Sequence, residues 1–124
     1  MLRASRRALR PGGRTAFHVI ELPSGLDDRQ RRRAVSIGPP AVAVRTSHAG
    51  LLRSAGFVDV ETIDATAEYL DTQHRWLAAT LRHEDEMRAT LGDDMVDDGL
   101  ERRRRTIDAI AEGLLVRTLY TARR

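Results

Sequence analysis

The stretch LRPGGRTAFHVIEL, residues 9–22, decides how the rest of the chain is interpreted. A short helical run over residues 2–10 is predicted to end at Pro11-Gly12-Gly13, because proline cannot continue the hydrogen-bond ladder and glycine admits positive φ. Residues 15–22, TAFHVIEL, then follow as a β-strand. Apolar side chains alternate onto both of its faces: Phe17 and Val19 on one, Ala16, Ile20 and Leu22 on the other. Such a strand belongs in a sheet that is covered on both sides.

The remaining chain alternates between helical and strand patterns. A solvent-facing helix is predicted over residues 27–36. A second helix over 47–55 has Thr46 or Ser47 as its N-cap and Gly56 as its stop. The apolar periodicity then predicts one long helix over 66–91, followed by another helix that Asp93 or Asp94 caps after the stop at Gly92. Two further strands are predicted, over residues 57–63 and 115–122.

Length and composition indicate one soluble globular domain over residues 1–124. The chain is 41% hydrophobic and 31% charged, and no apolar stretch approaches the roughly 20 residues that cross a bilayer. Cysteine is absent, which excludes disulfides and thiolate chemistry. The arginine-rich N-terminus meets Pro-Gly-Gly rather than an apolar core, so no secretory signal is visible and cytoplasmic residence is expected.

The basic charge of the chain is carried by arginine alone. All 21 basic residues are arginine, the net charge is +3 and the pI is about 10.4. The arginine codons of a GC-rich genome explain this preference for arginine over lysine without any role in binding nucleic acid. Three arginine groups, in residues 3–14, 29–33 and 102–105, are nevertheless candidates for a phosphate-binding surface. Two features disfavour that alternative: aromatic residues are only 4%, and Asp98–Arg102 and Glu101–Arg105 are spaced as i,i+4 ion pairs.

Three motifs in order resemble the C-terminal part of a Rossmann-like, small-molecule S-adenosylmethionine-dependent methyltransferase. They are ALRPGGRTAFHVIE at residues 8–21, HAGLLRSAGFVDVETID at 48–64 and GLLVRTLYTARR at 113–124. The resemblance implies an α/β fold: a partial Rossmann-like sheet of three strands, with the last strand antiparallel and lying between the other two. It also implies a two-helix excursion at about residues 66–113.

The cofactor is implied by this resemblance alone. Methyltransferases of this kind bind S-adenosylmethionine with their first half, through a glycine-rich loop that follows a strand and opens a helix. This chain has no GxGxG pattern, and Gly12-Gly13 precedes a strand. No cofactor-binding residue is therefore assigned. The chain would supply substrate-pocket walls for a small-molecule methyl acceptor, and it is not expected to transfer methyl groups alone.

The same resemblance bears on partners. The strand at residues 15–22 would lack the neighbour that it has in a complete enzyme, which leaves an apolar sheet edge. We expect this edge to pair with a second copy of the chain or with the missing N-terminal half. A non-catalytic interaction module, which binds a protein or nucleic acid through the edge or the arginine surface, is the alternative function.

Four side chains are candidates for the substrate pocket: His18, Glu21, Tyr69 and Trp76. Glu21 ends a strand at the carboxyl edge where ligands of open α/β sheets bind, although a solvated carboxylate would have the same position. His18 lies mid-strand, where a buried or cross-strand histidine is the alternative to a general base. Tyr69 and Trp76 share a helix face, and ordinary packing is the alternative to a pocket cover.

Two other histidine positions receive no assignment from the sequence. His48 lies near a predicted helix N-terminus, which disfavours its protonation but makes no site by itself. The run His83-Glu84-Asp85-Glu86 lacks the i,i+4 histidine pair of a zinc helix, so it is interpreted as a solvated helix face. No metal site is predicted.

Overall fold

The computed structural model describes residues 1–43 and 47–124, which form six α-helices, one 3-10 turn and three β-strands. The elements follow in the order α1 (Leu2–Ala8), β1 (Arg14–Glu21), α2 (Asp28–Ile37), the 3-10 turn (Pro40–Ala43), α3 (His48–Ser54), β2 (Val58–Asp64), α4 (Thr66–Arg82), α5 (Glu84–Leu91), α6 (Asp93–Ala111) and β3 (Val116–Arg123).

The three strands form one sheet in the order β1-β3-β2. The last strand, β3, is antiparallel to both of its neighbours, so β1 and β2 run parallel to each other. The predicted α/β class and the central, antiparallel position of the last strand are thereby confirmed. Within the described residues, β1 pairs only with β3, and its other edge carries no strand.

The turn before β1 is built as its sequence predicts. Gly12 has φ +75°, a conformation that costs glycine little. The N–H of Gly12 donates to the carbonyl of Arg124, 3.2 Å away, and that of Gly13 donates to the carbonyl of Arg10, 2.8 Å away. Both amides therefore have partners: that of Gly13 closes the turn, and that of Gly12 joins the turn to the residue after β3.

Local capping sets the starts of two helices. The Asp27 carboxylate accepts from the backbone N–H of Gln30, and the Gln30 side chain accepts from the backbone N–H of Asp27, which completes a capping box for α2. Ser47 accepts from the N–H of Gly50 and caps α3. The alternative cap, Thr46, lies outside the described residues. Gly56 ends the turn after α3 with φ +90°.

The single long helix predicted over residues 66–91 is wrong, because it is broken at His83 into α4 and α5. The excursion therefore has three helices rather than two. Three consecutive acids, Glu84 to Glu86, occupy the first turn of α5, where negative charge stabilises a new helix N-terminus. Arg88 then donates to Glu84, Asp93 and Asp97, and so ties α5 to the start of α6. The apolar period continues through the break and conceals it.

Two hydrophobic clusters hold the elements together. The first contains Leu114 and Leu115 and packs beneath α2, α4 and α6; the second contains Leu52 and Tyr120 and packs beneath α1 and α3. Ile20 and Leu22 pack against the first cluster, and Phe17 and Val19 against the second. β1 is thus covered on both faces, as predicted, but only in part, because Ala16 and His18 are exposed.

None of the helices in the described part of the chain has both the length and the apolar character that a membrane crossing requires.

Candidate functional site

A pocket of about 540 Å³ opens at the carboxyl end of β1. It lies between that strand end, the 3-10 turn and the first residue of α3. The lining includes Glu21, Pro23, Ser24, Arg31, Val42 and His48. The position is the one at which open α/β sheets bind ligands. One of the four predicted site residues, Glu21, is therefore found beside a cavity at the expected edge of the sheet.

Glu21 is the centre of a hydrogen-bonded set with His48 and Tyr120. Its Oε1 atom accepts from the Tyr120 hydroxyl at 2.7 Å and lies 2.7 Å from Nδ1 of His48. The side chains of Glu21 and His48 are 20% and 25% exposed, whereas Tyr120 is buried. The set therefore reaches from the second hydrophobic cluster out to the pocket.

Three separate elements bring these side chains together. Glu21 is the last residue of β1, His48 is the first of α3, and Tyr120 lies in the middle of β3. Tyr120 is fixed by stacking on Phe17, its partner across the strand pair, with ring centroids 5.6 Å apart. The His48 ring is tilted against the same tyrosine at 5.5 Å. Glu21 and Tyr120 are 99 residues apart in the chain, and the pairing of β1 with β3 brings their strands side by side, with Tyr120 opposite Phe17 and Glu21 opposite Val116.

Hydrogen-bond chemistry fixes the roles within the set. An ionised carboxylate can only accept, so the contact of Glu21 with His48 requires the tautomer that carries a proton on Nδ1. Neutral His48 then keeps its lone pair on Nε2, available to a proton from a bound molecule. Burial of Tyr120, and next its bond to the Glu21 carboxylate, raise the pKa of its hydroxyl. Tyr120 therefore stays a neutral donor.

The tyrosine environment makes an alkaline titration informative. Burial also raises the pKa of Tyr69, and the chain has only these two tyrosines. At pH 10.0, the ordinary pKa of tyrosine, we expect the urea-unfolded chain to be about half ionised and the folded chain to show less tyrosinate absorbance than the unfolded chain. Because the unfolded state loses these protons first, stability should fall as pH rises past 10. The variants Tyr69→Phe and Tyr120→Phe separate the contributions of the two tyrosines to this titration. If the folded and the unfolded chain titrate alike, the raised tyrosine pKa values are wrong.

The structure places the other predicted site residues elsewhere. His18 is exposed, lies opposite Leu119 and lines another pocket, which is formed by β1, α1 and α3. Tyr69 is buried and lines a different pocket, and Trp76 is 54% exposed beneath the guanidinium of Arg103. None of these three residues lies in the pocket beside Glu21. Tyr69 and Trp76 are on the same helix, α4, as predicted, but only Tyr69 faces a cavity.

Sequence reasoning missed two members of the set. Tyr120 has no distinguishing pattern, since it is one residue of an ordinary strand. His48 carried a usable signal, because the cap at Ser47 places it at the start of a helix. A role for His48 in the site depends on its contact with Glu21, and no sequence pattern predicts that contact.

No metal centre is found in residues 1–43 and 47–124, where no three histidine or carboxylate side chains are grouped to hold an ion. The run at residues 83–86 is a solvated helix start. Of the two predicted i,i+4 pairs in α6, Glu101–Arg105 is formed, and Asp98–Arg102 is not among the ion pairs within 4 Å. Other arginines are also paired with acids, including Arg33 with Glu112 and Arg75 with Asp71.

The described residues do not fit a nucleotide-type cofactor at Gly12-Gly13. A glycine loop cradles such a group with free backbone amides, but the amides of Gly12 and Gly13 already donate to Arg124 and Arg10. The turn also precedes its strand, at the edge of the sheet opposite to the pocket. We therefore assign no S-adenosylmethionine site to it.

The whole chain matches parts of solved methyltransferase structures. Phosphoethanolamine N-methyltransferase 2 from Haemonchus contortus, in complex with phosphomonomethylethanolamine and S-adenosylhomocysteine, has a TM-score of 0.82 and 15% identity over 99% of this chain and 29% of that one. Cyclopropane synthase MmaA2 from Mycobacterium tuberculosis has a TM-score of 0.77 and 14% identity over 99% of this chain and 48% of that one.

These matches confirm, at the level of the fold, the resemblance predicted from the sequence. The chain spans less than half the length of each of these proteins. No protein-family model matches it, and no curated protein sequence does. The fold is that of one part of a methyltransferase.

Proposed function

We propose that this chain supplies the acceptor-binding part of an S-adenosylmethionine-dependent methyltransferase centre, and that polypeptide outside residues 1–124 holds the cofactor. The observation that carries the proposal is the Glu21–His48–Tyr120 set, in a pocket at the carboxyl end of β1, on a fold shared with methyltransferases. The methyl acceptor is a small molecule that enters this pocket. Trp76 and His18 have no part in it.

Each member of the set has a definite role in this proposal. His48 accepts a proton at Nε2 from the N–H or O–H of the acceptor, which makes that atom a better nucleophile. Glu21 holds the imidazole in the required tautomer and stabilises the imidazolium that forms. Tyr120 fixes the Glu21 carboxylate through its short hydrogen bond. Such an arrangement needs no metal and no thiol.

The free edge of β1 is the place where we propose that the cofactor-binding part docks. A pocket of about 700 Å³ lies beside β1, between α1 and α3, and its lining is mostly apolar, including Leu2, Phe17, Val19 and Leu51. The matched structures contain about half or more of their length beyond the part that this chain covers. An added strand would satisfy the edge groups of β1 and cover this apolar surface.

The test combines the chain with a cofactor-binding part. That part is the polypeptide encoded directly upstream of Met1, or the portion of MmaA2 that this chain does not match. Calorimetry should show that S-adenosylmethionine binds the combination and not the chain alone. Transfer of a tritiated methyl group to a panel of amines, alcohols and carboxylic acids then identifies the acceptor.

Hydrogen exchange provides a readout that is independent of activity. In the isolated chain, every second amide of β1 should exchange rapidly, because only the set that faces β3 is paired. Docking should slow the other set as well. Micromolar binding of S-adenosylmethionine to the chain alone would contradict the proposed division. Unchanged β1 exchange in both combinations would overturn the docking proposal, and slowing in the isolated chain at high concentration would assign the edge to a second copy.

A further inference from the structure

A second pocket, of about 460 Å³, lies between α4, α6 and the segment that begins the 3-10 turn. It shares no lining residue with the pocket beside Glu21. Its floor is apolar and includes Ile37, Pro39 and Pro40, and its polar wall is formed by Tyr69, Gln73 and Arg102. The proposed function does not use this cavity.

Two arginines line the pocket and a third lies close to it. Arg102 and Arg103 line it, and the guanidinium of Arg117 lies over the ring of Tyr69, 5.2 Å from its centroid. No acidic side chain is among the lining residues. Within the described part of the chain, none of the three arginines has a carboxylate within 4 Å, unlike Arg33, Arg88 and Arg105. The local positive charge is therefore not neutralised by the protein.

The cations are held in place by neutral groups. Arg103 donates to the side-chain oxygen of Gln73 at 3.0 Å and lies over the ring of Trp76, 5.0 Å from its centroid. Gln73 is itself buried, with 7% of its surface exposed. Nε of Arg117 is buried and has no hydrogen-bond partner in the part of the chain that the structure describes. Arg117 does not line the pocket itself, so it adds positive charge beside the site rather than a direct contact with a ligand.

The hydroxyl of Tyr69 lies within reach of the same charges. Burial raises its pKa, while the positive charges of Arg117 and Arg103 act in the opposite direction. Both arginines therefore act electrostatically at a single side chain of the pocket. An anion at this position would be attracted by both and could accept from the neutral hydroxyl.

We infer that this pocket is a second binding site, and that it takes a small organic molecule which carries a carboxylate or phosphate group. The oxyanion meets Arg102 and Arg103, and the apolar body of the ligand rests on Ile37 and Pro39. Arginine suits both anions because its planar fork matches their paired oxygens. The volume exceeds what an inorganic ion alone would fill, which favours an attached organic group.

Trp76 gives a direct signal for this site, because it is the only tryptophan of the chain and contacts Arg103. The chain is titrated at constant ionic strength with phenyl phosphate, benzoate, inorganic phosphate and the neutral benzyl alcohol. We expect saturable changes in fluorescence with the organic anions and none with benzyl alcohol. The stronger of phenyl phosphate and benzoate identifies the preferred oxyanion.

Two variants that each remove one positive charge distinguish specific binding in the pocket from nonspecific attraction of anions to the chain. Arg102→Gln removes a lining cation and should weaken binding about tenfold, the size expected for one charge-assisted hydrogen bond. Arg104→Gln removes a charge two residues from Arg102 on the same helix, outside the lining, and should change the affinity less than twofold. Equal weakening by both variants, or no saturation with any anion at millimolar concentration, would overturn the inference. Neither result would affect the proposal for Glu21.

Discussion

Leu115→Ala should lower the free energy of unfolding by about 3 kcal/mol, the middle of the range for a fully buried leucine. Leu115 has no exposed surface and belongs to the first hydrophobic cluster, between α2, α6 and the start of β3. It is packed so closely that a Cβ added at Gly38 would lie 3.1 Å from its Cδ2 atom. The surrounding helices cannot follow the shortened side chain, so the cavity remains.

Urea unfolding, followed by far-UV circular dichroism, measures this change. Leu91→Ala is the matched control, because Leu91 is 46% exposed at the end of α5, and its truncation should cost well under 1 kcal/mol. A domain of this size is stable by only about 5–15 kcal/mol, so the loss at Leu115 is a large share of the total. Similar losses for the two variants would show that the first cluster does not support the fold.

The sheet was largely predictable because its signals are local. Pro11-Gly12-Gly13 marks the turn before β1, the cap at Ser47 and the stop at Gly56 mark α3, and alternating residues mark the strands. Each predicted strand agrees with the structure to within one residue at either end. The break at His83 was not predictable in this way, since the apolar period passes through it and the contacts of Arg88 that fix it come from the next helix.

The candidate site shows even more clearly that contacts between distant parts of the chain cannot be predicted from local sequence patterns. Glu21 could be chosen from the sequence because its position at a strand end carries the information. Tyr120 could not, because its contact with Glu21 depends on the pairing of β1 with β3, from opposite ends of the chain, and on a tyrosine side chain that reaches past its own cross-strand partner, Phe17. The strand pairing also brings Tyr120, and not Tyr69, to Glu21. Tyr69 has the more suggestive helix pattern, but it lines the separate pocket that contains Arg102 and Arg103.

Glu21→Gln should reduce methyl transfer by the combined protein at least a hundredfold, within the range that general acid–base groups contribute. The amide keeps an oxygen that can accept from Tyr120, so packing is retained while the negative charge is lost. Without that charge, the imidazolium that forms on His48 is not stabilised, and the imidazole can turn to its other tautomer. Binding of S-adenosylmethionine should be unchanged, because the proposal places the cofactor on other polypeptide.

Two readouts distinguish this role from a structural one. In the isolated chain, Glu21→Gln should allow Tyr120 to ionise at lower pH, because the carboxylate contributes to the raised pKa of the hydroxyl. Glu61→Gln is the control: this exposed carboxylate on β2 takes no part in the pocket, and neither transfer nor the tyrosine titration should change. A Glu21→Gln protein that transfers methyl groups within threefold of the original rate would remove Glu21 from the mechanism. A lowered rate with an unchanged Tyr120 titration would instead mean that the Tyr120–Glu21 contact does not form in solution.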